Sequence, residues 1–182
     1  MSTFEKLKNT FSVNWTTILV GWEGLGIISL LRLEDFPPLL TLEEVFEYVY
    51  ESIAENHDKK EMDLILDFLP FEQKEPDRAL VQHFLTQLSE WHHGNKAFEL
   101  RKWRAIVLDD VLGQLQGGAL YDLISLLEFW QEFGFPSDCP MVFQGIGNNI
   151  RPEEYYTDEN LKKSIIANKN WLQKEMQELK QR

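Results

Sequence analysis

A chain of 182 residues with thirty acidic and eighteen basic side chains carries a formal net charge of -12. That surplus repels phosphate backbones and anionic lipid, so nucleic acid and membrane surfaces are set aside as partners. Hydrophobic residues at 43% and charged residues at 26% are the balance of an ordinary globular domain, with no apolar run near the roughly 18 residues of a membrane span.

The N-terminal MSTFEKLKNTF lacks the apolar stretch and small-residue cleavage site of a secretory signal, so a cytoplasmic protein is expected. Asn14 reads as the cap of a short helix with Trp15, Ile18, Leu19 and Trp22 on its apolar face, ended by glycines at 21, 24 and 26. Between Ile27 and Leu40 the pattern is irregular and runs into Pro37 and Pro38, which predicts a turn of helix and a loop. Thr41 with Glu44 three residues on is a capping box, and the helix it opens faces Leu42, Val45, Phe46, Val49 and Ile53 inward. Asp58 with Glu61 repeats the box ahead of a stripe of Met62, Ile65, Leu66 and Leu69 that Pro70 closes. After a short linker over 71–75, Pro76 suits a first helical position. Leu80, Val81, Phe84, Leu85, Leu88 and Trp91 then form an inward face that stops at Gly94.

From Asn95 to Leu115 apolar residues occur nearly all round, among them Phe98, Trp103, Ile106, Leu108 and Leu112, which predicts a central, buried helix. Gln116, Gly117 and Gly118 allow only a tight reversal before an amphipathic helix with Leu120, Leu123, Ile124, Leu127 and Trp130, stopped by Gly134 and Pro136. Residues 137–156 hold two more prolines, glycines and asparagines, with Met141, Val142, Phe143, Ile146 and Ile150 as anchors, and predict an ordered loop. Thr157 caps a last helix running to about Gln181. The expectation is a single all-α domain over 1–182: a bundle, or a short solenoid-like array, of about six to eight helices, with a Pro/Gly-rich loop before the C-terminal helix.

Few residues look catalytic. Cys139 is the only cysteine, which excludes an internal disulfide and a cysteine-cluster metal site. Glu90 with His93 has the Glu-x-x-His spacing of a di-iron ligand pair, but no second copy follows, and His92 and His93 suit a helix end. The glycine groups at 21, 24 and 26 and at 145 and 147 lack the order, strand and Lys-Ser/Thr of a phosphate loop. Asp109 and Asp110 interrupt the apolar run from Ala105 to Leu112 and need partners from another helix if buried. An enzyme would have to assemble its site from Asp109, Asp110, His92, His93 or Cys139, as a metal-dependent or cysteine hydrolase. No cofactor or metal is expected.

The most extended chemical feature is acidic. Between residues 43 and 77 acids far outnumber bases, and Glu43, Glu47, Glu51 and Glu55 recur every four residues on one helix face, continued by Asp63 and Asp67. Like charges at that spacing cost about 0.2–0.5 kcal/mol per pair. A solvated face needs no such one-signed stripe, so these six residues are the candidate contacts for a basic protein partner.

Trp15-x-x-Ile18-x-x-Gly21, Phe129-Trp130-x-x-Phe133-Gly134-Phe135-Pro136, and Gln144-Gly145 followed by Pro152-Glu153-Glu154-Tyr155-Tyr156-Thr157 resemble a bacterial family, domain of unknown function 2247. The resemblance covers most of the chain and transfers no catalytic residues. It implies a bacterial context, in which some small acidic families resemble immunity proteins encoded beside secreted toxins. The expected function is therefore a non-catalytic, immunity-type protein that neutralises a basic toxin domain through its acidic surface. A catalyst, or an oligomeric scaffold using exposed aromatic residues, are the other readings.

Overall fold

The computed structural model describes residues 1–24, 39–54, 58–74 and 76–181. The expected all-α class is what the chain adopts. Among the described residues there are nine α-helices and no strand: α1 (Thr3–Thr10), α2 (Trp15–Glu23), α3 (Leu42–Ala54), α4 (Lys59–Phe68), α5 (Arg78–Trp91), α6 (Lys96–Gln114), α7 (Ala119–Glu132), α8 (Pro152–Tyr155) and α9 (Asp158–Lys180). An ordered loop precedes the last helix pair, as the sequence predicts. The helical turn expected ahead of Pro37 and Pro38 lies outside the described residues. The described residues cluster into two compact units, divided within α6 after Arg101.

In the first unit the local signals act as read. Asn14 accepts from the backbone N–H of Thr17 at 3.0 Å, and Thr41 and Glu44 close a reciprocal capping box at 3.2 and 2.9 Å. Gly24 caps α2 with φ 72, a left-handed conformation suited to glycine. Residues Trp15 to Trp22 of α2 are buried on every side rather than along one face. Helix α2 packs along α5, and Thr16 and Ser89 share a 2.8 Å hydrogen bond between hydroxyls at their contact. At the other end of α5, Arg78 donates to the carbonyls of Trp22 and Glu23, and its guanidinium lies 5.7 Å from the Trp22 ring centroid.

Three expectations change. Asp58 caps α4 through the N–H of Lys60, but Glu61 does not complete a box. It turns inward, and the buried stripe of α4 is Glu61, Ile65 and Phe68, leaving Leu66 exposed. Pro70 does not end the structure, since Leu69–Lys74 continues as a 3-10 helix, which needs no N–H from its first residues. Helix α5 begins at Arg78 behind an Asp77 cap, two residues beyond Pro76, and it ends at Trp91, which is exposed instead of facing inward.

In the second unit the α6 segment buries Trp103, Ala105, Ile106 and Leu108 together with Lys102 and Arg104. Asp122 closes the turn ahead of α7 by accepting from the N–H groups of Gln116 and Gly117 at 3.1 and 2.6 Å. Helix α7 packs on α9, where Trp130 donates its indole N–H to Asn168 at 2.8 Å. Arg104 joins three elements. It forms a two-pronged pair with Asp138, approaches Glu175 at 3.5 Å, and lies 4.8 Å from the Trp171 centroid. The loop ahead of α8 is ordered by Asn148, which donates to the carbonyls of Phe143 and Ile146 and accepts from the N–H groups of Gly145 and Ile150.

Candidate acidic docking face

Helix α3 buries Val45, Phe46, Val49 and Ser52 and leaves Glu43, Glu47, Tyr50 and Glu51 exposed, because the four-residue repeat of the acids falls opposite the apolar one. Glu47 and Glu51 are not unpaired. Lys8 of α1 reaches both, Glu47 at 3.3 Å and Glu51 by a closer contact. Burial alone would lower the Lys8 pKa, but its hydrogen bonds to Glu51 and Glu47 outweigh that and hold it above 10.5. Tyr50 donates its hydroxyl to Glu72 of the 3-10 helix, which lifts the phenol above its ordinary 10.0. Helix α4 exposes Asp63 and Asp67 beside Leu66, with Lys59 and Lys60 at its start. Glu43, Asp63 and Asp67 pair with no described residue. Glu55, the sixth acid of the predicted face, lies outside the described residues, as does His57.

The acidity belongs mainly to the first unit. Residues 1–101 hold eighteen acids and nine bases, a surplus of nine, whereas residues 102–182 hold twelve and nine, a surplus of three. Several acids of the first unit serve the fold. Glu99 accepts from Thr17 at 2.6 Å and Asn14 at 3.3 Å, and Glu23 accepts from Lys96 at 2.7 Å. Glu61, 5% exposed, accepts the Trp15 indole N–H at 2.7 Å and meets His92 Nε2 at 3.0 Å.

The residues nominated for an alternative enzyme are placed as follows. His92 and His93 lie in the first unit at the end of α5, His92 against Glu61 and His93 in the left-handed region at φ 48. Asp109 and Asp110 are both half-buried in α6, in the second unit. Cys139 is half-buried in the loop after α7, where burial pushes its thiol up to about 11. A thiol held there is protonated at neutral pH, the opposite of an activated nucleophile. Among the described residues no group of three or more His, Cys, Asp and Glu side chains is placed to hold a metal ion. None of the described helices is long and apolar enough to cross a membrane.

Two features escaped the sequence reading. Glu61 as a buried acceptor was visible in principle, since 61, 65 and 68 share a helix face, but the capping-box pattern competed for it. Trp91 at the surface carried no local signal.

No curated protein and no solved structure shows a detectable match to the chain. Residues 4–176 match the profile of a family described as an uncharacterized protein conserved in bacteria, DUF2247, and the quoted Trp, Phe-Gly-Phe-Pro and Pro-Glu-Glu-Tyr-Tyr motifs all fall within that span: the chain belongs to this bacterial family.

Proposed function

We propose that the protein acts by binding rather than catalysis, as a cytoplasmic immunity-type protein whose acidic first unit docks on a basic toxin domain and covers its working surface. The observation that carries this reading is the set of exposed carboxylates, Glu43, Asp63 and Asp67, which pair with nothing described in a unit already nine charges negative. Glu47 and Glu51 extend the face, with Lys8 partly neutralising them. Such a field raises association rate and selects partners by sign, while a few apolar contacts supply most affinity.

The test begins with the tagged protein in lysate of its native host, washed at low and high salt. A basic partner encoded beside it and released by salt is then purified for kinetics. Reversing Glu43, Asp63 and Asp67 to lysine should slow association at least about tenfold at low salt and much less at high salt. An association rate indifferent to all three reversals would refute the docking.

A further inference from the structure

We propose that Tyr50 is the cation seat of the acidic face, its ring receiving an arginine side chain of the basic partner. The inference rests on the binding reading above and adds the place where the partner is gripped.

The geometry of a single helix puts Tyr50 on that face. In α3, Glu43, Glu47, Tyr50 and Ala54 follow one another at steps of four, three and four residues and form one side, opposite the buried Val45, Val49 and Ser52. All four are exposed, Tyr50 at 49%. Glu47 is its surface neighbour one turn before. At the other end of the ring Glu72 accepts the phenolic hydrogen, so a second carboxylate stands at the phenol oxygen and ties the ring to the 3-10 helix. The ring is thereby oriented in advance, and little order is left to impose on binding. Its faces are open: among the described residues no aromatic ring and no cation lies against Tyr50.

The chain itself shows what such an arrangement receives. Arg104 pairs with Asp138 at 3.1 Å and lies 4.8 Å from the centroid of Trp171, and the same Asp138 carboxylate accepts the Trp171 indole N–H at 3.0 Å. Lys8, on the acidic face, holds Glu47 and Glu51 and lies 5.3 Å from the Phe4 centroid. Tyr50 and Glu72 repeat the Trp171 and Asp138 pattern, an aromatic donor bonded to a carboxylate, but at the surface and without a cation of their own.

A planar guanidinium suits this place better than an ammonium, because it stacks on the ring while its edge reaches a carboxylate. Only one Glu72 oxygen is engaged by the phenol, which leaves the other for that edge. A second copy would bring the same charge of -12, and anionic lipid and nucleic acid are repelled by it, so a basic protein is the occupant.

The experiment measures surface-plasmon kinetics of the purified proteins encoded on either side of this chain's gene. The ligands are the full-length chain and its variants Tyr50→Ala, Tyr50→Leu, Tyr50→Phe and Glu43→Lys, each shown by thermal melt to be folded. The expected result is roughly 10-fold faster dissociation for Tyr50→Ala, with association changed less than about twofold. Tyr50→Leu, which keeps apolar bulk without a ring face, should match alanine, and Tyr50→Phe, which loses only the bond to Glu72, should change less than about threefold. Glu43→Lys should slow association and leave dissociation as it was. Slowed association in Glu43→Lys beside unchanged dissociation in Tyr50→Ala, or leucine as good as tyrosine, overturns the cation seat and leaves the docking reading standing. A loss in Tyr50→Phe as large as that in Tyr50→Ala makes the residue a tie between α3 and the 3-10 helix and overturns the seat as well. No binding by either neighbour overturns both. A Tyr50-dependent dimer in sedimentation assigns the ring to a second copy and also overturns the proposal.

Discussion

Replacing Arg104 by alanine tests whether the second unit is held by a buried ionic knot. Arg104 is 8% exposed, and its Glu175 partner is 5% exposed. Its guanidinium also bonds Asp138, which accepts the Trp171 indole N–H at 3.0 Å, and it lies over the Trp171 ring. Removing the cation takes one partner from the buried Glu175 carboxylate. Breaking a buried pair from one side destabilises by about 3–5 kcal/mol when the remaining charge has no other compensation, and Glu175 keeps a further interaction, so about 1–3 kcal/mol is expected here. Asp138, half exposed, adds little, since water replaces what it loses. Urea unfolding followed by tryptophan fluorescence and by far-UV circular dichroism reads the loss, and the two probes together show whether the two units unfold in one transition. Arg104→Lys, which keeps the charge but not the two-pronged geometry, should lose less than alanine does. A loss below about 1 kcal/mol in Arg104→Ala, or a loss in Arg104→Lys as large as that in Arg104→Ala, would refute the ionic account and leave the arginine as a packing residue.

Gly94→Ala should destabilise by about 1–3 kcal/mol in the same urea assay, and Thr16→Ala should not rescue it, because Thr16 Cβ itself lies 2.4 Å from the new methyl position. Asp122→Ala should cost about 1–2 kcal/mol by releasing the N–H groups of Gln116 and Gly117, with faster amide hydrogen exchange confined to that turn. Alkaline stability depends on two groups of the second unit. Burial raises the Cys139 thiol from 9.0 to about 11. Burial, with smaller contributions from Tyr156 and Cys139, raises the Tyr155 phenol from 10.0 to about 12. Unfolding releases their protons once pH exceeds the unfolded values, so stability is full below about pH 9, falls between pH 9 and 12, and levels beyond. Cys139→Ala and Tyr155→Phe should each flatten part of that decline in urea midpoints measured across the range.

Caps were legible because a cap is decided within three residues. Asn14, Thr41, Asp58 and Thr157 each bond a backbone N–H two or three positions on, as their side chains predict. The class was legible because helical periodicity recurs in every long segment. Glu61 was misread because its partners are remote, Trp15 46 residues earlier and His92 31 residues later. The last helix shows the same limit: Leu161, Ser164, Asn168, Leu172, Glu175 and Leu179 form one buried stripe, but hydrophobicity alone points to Ile166, which is exposed. The exposure of Glu43, Glu47, Glu51, Asp63 and Asp67 followed from amphipathic spacing. That Lys8 would occupy two of them did not, since a contact 39 and 43 residues apart leaves no trace in local pattern.

The acids of the first unit divide by what the fold asks of them. Glu23, Glu61 and Glu99 are enclosed or nearly so, and each receives donors from another helix, so their removal would leave unmatched hydrogen-bonding groups inside. Glu43, Asp63 and Asp67 receive none and sit in a field of their own sign; only Glu43, in the first turn of α3, gains from its charge through the helix dipole, and Asp67 in the last turn of α4 loses by it. Neutralising these three as Glu43→Gln, Asp63→Asn and Asp67→Asn should therefore leave the urea midpoint unchanged or raise it slightly, since surface changes away from special contacts stay within about 0.5 kcal/mol. The same variant should lose the salt-dependent part of its association with the basic partner. A clear drop in stability would mean that the three carboxylates are structural after all, and the case for a docking face would lose its main support.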